Sequence, residues 1–295
     1  MKGLLDKIRG RCEKTLRCLY LKRLRSKAKR TARCTPGVIQ LGSFHIGYAD
    51  LLSTYIEYKD IFLDQIYHFE AETRNPRVID GGSCIGMSVL YFKSIYPASE
   101  IVCFEPDENI FKILRRKVEA NQLGQVELIQ AGLTKEGGIQ YFLPDGSDGG
   151  KVVSEKDGAI AVKTVRLSEY LQKPVDFLKL NIEGQELAVL QEVEASGRMS
   201  NIKEIALEYH GFAGKKQELG DILNLLDRNG FRYLVHDFDA ETTTANKPPF
   251  KIQPDTTWFC LVYAKRLSYT RFGEEILPFR QTPHKTHRNS IGIQR

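Results

Sequence analysis

Val78-Ile79-Asp80-Gly81-Gly82-Ser83-Cys84-Ile85-Gly86 carries a short apolar strand through a glycine turn into a helix, and the order of its residues decides the fold. Gly81 and Gly82 permit a tight turn and let the backbone approach a ligand, while Gly86 lets the new helix pack against the strand. Asp80 sets an anion at the carboxyl end of that strand, where open α/β sheets bind their ligands. A pyrophosphate-binding turn reads G-x-G-x-x-G with no acid ahead of it, whereas the order here is D-G-G-x-x-x-G. An acid in that place suits a cofactor that carries cationic groups, such as an ammonium and a sulfonium. Glu105, in Val102-Cys103-Phe104-Glu105-Pro106, ends the next strand and is placed to accept hydrogen bonds from both hydroxyls of a ribose. Each acid alone reads as a turn or strand-end residue; the pair at adjacent strand ends points to a cofactor site.

Outward from this loop the chain alternates strand and helix. Strands are predicted at Arg77–Asp80, Glu100–Phe104, Val126–Gln130, Val175–Leu180 and Ile202–Tyr209, with helices at Met87–Tyr96, Glu108–Asn121, Glu186–Glu194 and Leu219–Asn229. Pro97 stops the first helix and Gly230 ends the last. Ile139–Leu143 and Ala159–Val165 read as a β excursion around the turn-rich Pro144–Gly150. Such alternation builds a parallel sheet covered by helices on both faces. The last strands, Phe231–His236 and Trp258–Ala264, have only the polar loop 237–257 between them, so they predict one antiparallel strand near the C-terminus of a Rossmann-like sheet. Ahead of the sheet, the apolar spacing from Asp50 to Phe69 predicts one or two helices, making 35–74 a helical lead-in or cap.

Three blocks resemble the FkbM-type methyltransferases, a family of class I S-adenosylmethionine-dependent enzymes that typically methylate hydroxyl oxygens of sugars, polyketides and similar small molecules. They are the Val78–Gly86 loop, the Phe104-Glu105-Pro106 strand end, and Val175-Asp176-Phe177-Leu178-Lys179-Leu180-Asn181-Ile182-Glu183-Gly184-Gln185-Glu186. The third is similar to the family's D-(L/F)-(L/I)-K-(I/L)-D-(V/I)-E-G-x-E block, and Glu208-Tyr209-His210 resembles its acid-x-His. The resemblance covers about residues 75–264. It implies S-adenosylmethionine as cofactor, held by Asp80, Gly81, Gly82, Ser83, Gly86, Glu105, Pro106, Gln130, Ala131 and Asn181. Two positions depart from the pattern. Asn181 replaces the family's Asp, and Ser83 replaces a small residue in a loop that binds through its backbone.

The third block also has a physical reading. Lys179 and Asn181 are two apart on a strand and point to the same side. A Lys in a buried strand needs an acidic partner or an outlet to the site. Glu183 and Glu186 flank Gly184 where a helix starts, and read either as acids favouring the helix N-terminus or as site groups. Glu208 and His210 share a side of the following strand. The catalytic set expected from these residues is His210 as general base, with an ordinary pKa near ~6.5, Glu183 as the second choice, and Lys179 polarising or positioning the acceptor. No metal is called for, and Asn181 weakens any cation site.

Composition bounds the partners. Residues 1–33 carry 13 Lys/Arg against Asp6 and Glu13, and residues 265–295 carry seven against Glu274 and Glu275. That leaves 23 basic and 33 acidic residues in 34–264, so the overall +6 hides an acidic body with basic ends. A nucleic-acid groove in the body is disfavoured, as is RNA methylation, since no Asn-Pro-Pro-Tyr-like segment follows the fourth strand. Leu4, Leu5, Ile8, Cys12, Leu16 and Leu19 fall near helical spacing among the basic residues of the arm 1–34. This suits an amphipathic helix that touches a membrane or a protein, or else a solvated arm. The tail 265–295 is expected to be disordered. No apolar run reaches a membrane span, no cleavable secretory signal is evident, and six scattered cysteines lack metal or disulfide spacing. Together these favour the cytoplasm, with a small-molecule or glycan acceptor. A protein or RNA methyltransferase, or a cofactor-binding protein without catalysis, are the alternatives.

Overall fold

The computed structural model describes residues 20–147, 149–153, 157–237, 249 and 252–267. The first described element is helix α1, residues 20–30, part of the basic arm; residues 1–19 and the tail from 268 lie outside the described residues. The lead-in then departs from its predicted helical character. It begins with a hairpin, β1 (Gly37–Leu41) and β2 (Phe44–Tyr48), closed by the pair Leu41 and Phe44. The physical cause is a period of two: Leu41, Ile46 and Tyr48 are buried while Val38 faces solvent. Asp50 accepts from Ser53 N at 2.9 Å and caps α2 (Leu51–Tyr58), which continues through a π turn at Lys59–Leu63. Residues 64–76 are not helical.

The sheet follows prediction within a residue or two at most ends. β3 (Arg77–Gly81), α3 (Met87–Ile95), β4 (Glu100–Phe104), α4 (Glu108–Ala120) and β5 (Val126–Ile129) form the first half. A small four-stranded sheet branches off next: β6 (Gly132–Leu133), β7 (Gly138–Leu143), β8 (Lys151–Val153) and β9 (Ile160–Val165). The second half is β10 (Val175–Leu180), α5 (Glu186–Ala195), β11 (Ile202–Gly211), α6 (Leu219–Arg228), β12 (Phe231–His236) and β13 (Trp258–Arg266). The seven central strands stand in the order β12-β13-β11-β10-β3-β4-β5. All neighbours run parallel except β13, which is antiparallel to both β11 and β12.

Strand parity sorts the core into two layers. Ile79, Val102, Leu178 and Leu207 face α5 and α6, whereas Val78, Ile101, Phe177 and Ala206 face α3, α4 and the lead-in. Because side chains alternate, Asp80 shares the face of Val78, Lys179 that of Phe177, and Glu208 and His210 that of Ala206. Every charged residue of the strand ends therefore points toward the side that the lead-in covers.

Candidate active site

Register brings the polar groups together. Lys179 is the direct neighbour of Asp80 across β10 and β3, and its Nζ lies 3.2 Å from Asp80 Oδ1. Both are buried, at 4% and 0% side-chain exposure, so the pair forms in a region where an uncompensated charge would be costly. Ser88, on the first turn of α3, donates to Asp80 Oδ2 at 2.5 Å. Lys179 also donates to the carbonyl of Gly82. Burial pulls the Lys179 ammonium down, but Asp80 and Glu208 outweigh it and hold its pKa above the ordinary lysine value. Lys179, expected to polarise or position the acceptor, also fastens the strand-end acid to the glycine turn.

The turn itself is held at both ends. Gly82 N and Ser83 N donate to Phe104 O, at 3.2 and 2.9 Å, and Asn181 N donates to Gly81 O at 3.0 Å. Ser83 Oγ closes back onto Asp80 O at 2.9 Å, and Gly86 starts α3 at φ 84. Glu105 accepts from Cys84 N at 3.1 Å and from Asp107 N at 2.8 Å, tying the turn to the start of α4. Burial pushes the Glu105 carboxyl up to about 8.

A cavity of about 420 Å³ opens at the carboxyl ends of the strands, with the fully buried Asp80 and with Gly86 behind its lining. Gly82, Ser83, Glu105, Pro106 and Ala131 line its wall at the glycine turn, and Lys179, Asn181, Glu183 and His210 its far side. Gly81 is buried in β3 behind the turn. Gln130 is exposed and outside the cavity lining. The strand stops at Ile129, and Ala131 N folds back onto Ile129 O at 2.9 Å, which presents Ala131, Gly132 and Leu133 in its place.

The far side is a chain of carboxylates and their partners. Asn181 Nδ2 donates to Glu208 Oε2 at 3.0 Å, and the Tyr67 hydroxyl donates to Glu208 Oε1. Asn181 Oδ1 is buried with no hydrogen-bond partner among the described residues, leaving an acceptor for a ligand's donor. His210 Nε2 lies 3.4 Å from Glu183 Oε1, and its Nδ1 lies 3.8 Å from Glu186 Oε1, beyond hydrogen-bonding distance. Burial lowers the His210 pKa, but Glu186, Glu183 and Glu208 more than offset it and raise it to about 9. The expected imidazole of ordinary pKa is therefore a cation at neutral pH. Glu186 accepts from Ile182 N at 3.0 Å and Gly184 N at 2.9 Å, which makes it the organiser of the turn. That turn holds Glu183 at φ 54, a left-handed conformation costing a residue with a side chain about 1–2 kcal/mol.

Two contributors escaped the sequence reading. Ser88 sits two residues past the loop, on the first turn of α3, a position legible once Asp80 is known to be buried. Tyr67 comes from the lead-in, 141 residues from Glu208, and no local pattern marks it.

An open sheet with one antiparallel strand, and acids closing two adjacent strand ends around a glycine turn, is the architecture of a class I methyltransferase. The sequence pattern of the Methyltransferase FkbM domain matches residues 80–233. Methyltransferase sdnD of Sordaria araneosa is 29% identical over 198 residues, spanning 54% of this chain and 76% of its own. Methyltransferase 1 of Beauveria bassiana (strain ARSEF 2860) is 26% identical over 205 residues, 60% and 81% of the two chains. The solved structure of methyltransferase FkbM from Methylobacillus flagellatus KT covers 72% of this chain with 16% identity and a TM-score of 0.45, and 51% of it is matched. The chain belongs to the FkbM methyltransferase family.

Proposed function

We propose that this protein transfers the methyl group of S-adenosylmethionine to a hydroxyl oxygen of a small molecule or glycan. The observation that carries the reading is the pair Asp80 and Glu105 at the ends of β3 and β4, with the Gly82 backbone between them on the cavity wall. When bound, the cofactor supplies an electrophilic methyl on a sulfonium. The protein's own residues do the rest. Glu105 receives the ribose hydroxyls, while Asp80, held by Lys179 and Ser88, supplies negative charge on the sheet side. Asn181 Oδ1 accepts from the ammonium. Holding an acceptor oxygen in line with the methyl contributes through alignment, worth about 7–11 kcal/mol in well-oriented reactions.

Glu105 offers a direct test. Ribose hydroxyls favour its ionised form, so cofactor binding draws a proton off a carboxyl whose pKa is about 8. Calorimetry at neutral pH in buffers of different ionisation enthalpy is expected to show proton release in the native protein and none in Glu105→Gln. Affinity rises with pH and levels off above about 8. Equal affinity from acid to alkaline pH would remove Glu105 from the cofactor site.

His210 is assigned as the base that takes the hydroxyl proton, and Glu183 as its partner. Only neutral imidazole can accept that proton, so with a pKa of about 9 turnover rises with pH and reaches its plateau above that value. Glu183→Gln removes one of the acids that face the ring, and the plateau then begins at lower pH. A profile already flat across neutral pH in the native enzyme, with His210→Ala fully active, would transfer the role to Glu183. The basic N-terminal arm is read as a contact element for a peripheral surface.

A further inference from the structure

We infer that Phe212, on the reading that His210 is the base, is the positioning residue for it: the Phe212 ring fixes the plane of the imidazole and its approach to Glu183. Phe212 stands outside the cavity lining, so it acts only through its neighbour.

A histidine ring needs such a hold. Rotation about its last side-chain torsion is soft and lacks narrow staggered wells. In a nucleophile–base pair a third group ordinarily orients the base through a hydrogen bond. His210 makes no bond of that kind to the described residues. Its side chain is only 10% exposed, yet Nδ1 is buried with no hydrogen-bond partner, and Nε2 meets Glu183 Oε1 at 3.4 Å. A contact of that length lies past the ordinary range of a hydrogen bond and sets the tilt of the ring weakly.

The faces supply what the edges lack. Phe212 follows the last residue of β11, and its ring stacks on His210 with centres 5.5 Å apart and planes 12° from parallel. Phe259, the register partner of His210 on β13, adds a second ring at 5.9 Å and 35°. Stacked aromatic groups prefer defined relative planes. Phe212 is in turn held by two other segments. A Cβ on Gly184 would come within 3.1 Å of Phe212 Cε2, so the ring lies against the backbone next to Glu183. Lys151, on β8, sets its ammonium 4.6 Å from the centre of the same ring. One side chain thus contacts both the imidazole and the turn that carries Glu183, and the spacing of base and acid is referenced to it.

The test is nuclear magnetic resonance of the histidine rings in the full chain, with the His210 signal identified by its absence from His210→Ala. The native protein and Phe212→Tyr are expected to give a single sharp His210 signal. Phe212→Leu and Phe212→Met keep an apolar side chain against Gly184 but present no flat face, so their His210 signal is expected to broaden or split as the ring samples more than one plane. A role in packing alone would leave the signal of these two variants single and sharp, and that result overturns the assignment. So does a Tyr variant that behaves like the Leu one. A native ring that already exchanges between orientations overturns it without any variant. Thermal melts show that each variant is folded, and S-adenosylmethionine calorimetry is expected to be unchanged in all three, since Phe212 lies outside the lining. Native protein that fails to bind S-adenosylmethionine would remove the methyl-transfer reading and leave the ring measurement standing.

Discussion

Gly82→Ala is expected to abolish measurable S-adenosylmethionine binding. A Cβ at this position would stand 1.8 Å from the carbonyl oxygen of Asn181 and 2.9 Å from its carbon, both backbone atoms, and φ is 77. Relief would need the turn or the start of the 181–186 segment to move. Both are pinned, the turn by two hydrogen bonds to Phe104 O and Asn181 by its own to Gly81 O. The turn must therefore leave the cavity wall, and its backbone cannot then approach the cofactor. A loss of about 3 kcal/mol would weaken binding more than a hundredfold. Calorimetry on a variant whose far-UV spectrum matches the native one provides the measurement. Binding at native strength would mean that the glycine turn does not cradle the ligand.

Lys179→Met should cost the fold about 3–5 kcal/mol, the usual penalty for orphaning one member of a buried ion pair. Asp80 is fully buried, and without the ammonium its only remaining side-chain partner is the Ser88 hydroxyl among the described residues. Met fills much of the same volume, so the loss reports on charge more than on packing. For a chain of this size the melting temperature should fall by roughly 10 °C. The double variant Asp80→Asn, Lys179→Met should recover much of the stability while still failing to bind cofactor, since the anion has gone. Denaturant titration separates the cases. A Lys179→Met single variant as stable as the native chain would show that Asp80 is satisfied without its partner.

Much of the architecture was legible because it is local. The Val78–Gly86 turn, the alternation from β3 to β12 and the single reversed strand follow from periodicity, glycine placement and a connection without a helix. The hairpin at Gly37–Tyr48 was less visible, since its alternation spans few residues on each side of the turn. Site roles were harder, because they depend on which side chains meet. The Lys179 partner is fixed by register between β10 and β3, and register depends on the whole sheet. The histidine at 210 was legible as a candidate and lines the cavity, but its charge state was not legible: Glu183, Glu186 and Glu208 set it jointly, and only folding brings the three around one ring.

Asn181 gains a clear role from the same geometry. An Asp there would place a second carboxylate about a hydrogen bond away from Glu208, whereas the amide donates to it at 3.0 Å. The substitution replaces a repulsive contact by an attractive one.

Tyr67 carries a wider consequence. The donor half of the cavity is built by the segment that matches the family, but the hydroxyl bonded to Glu208 comes from upstream of that match. One wall of the cavity is thus closed by a side chain from outside the stretch that matches the family. Because the centre of the Tyr67 ring lies 5.6 Å from the Lys179 ammonium, which holds Asp80, any drift in the lead-in is transmitted to the buried charges at the strand ends, and the two stretches must change together.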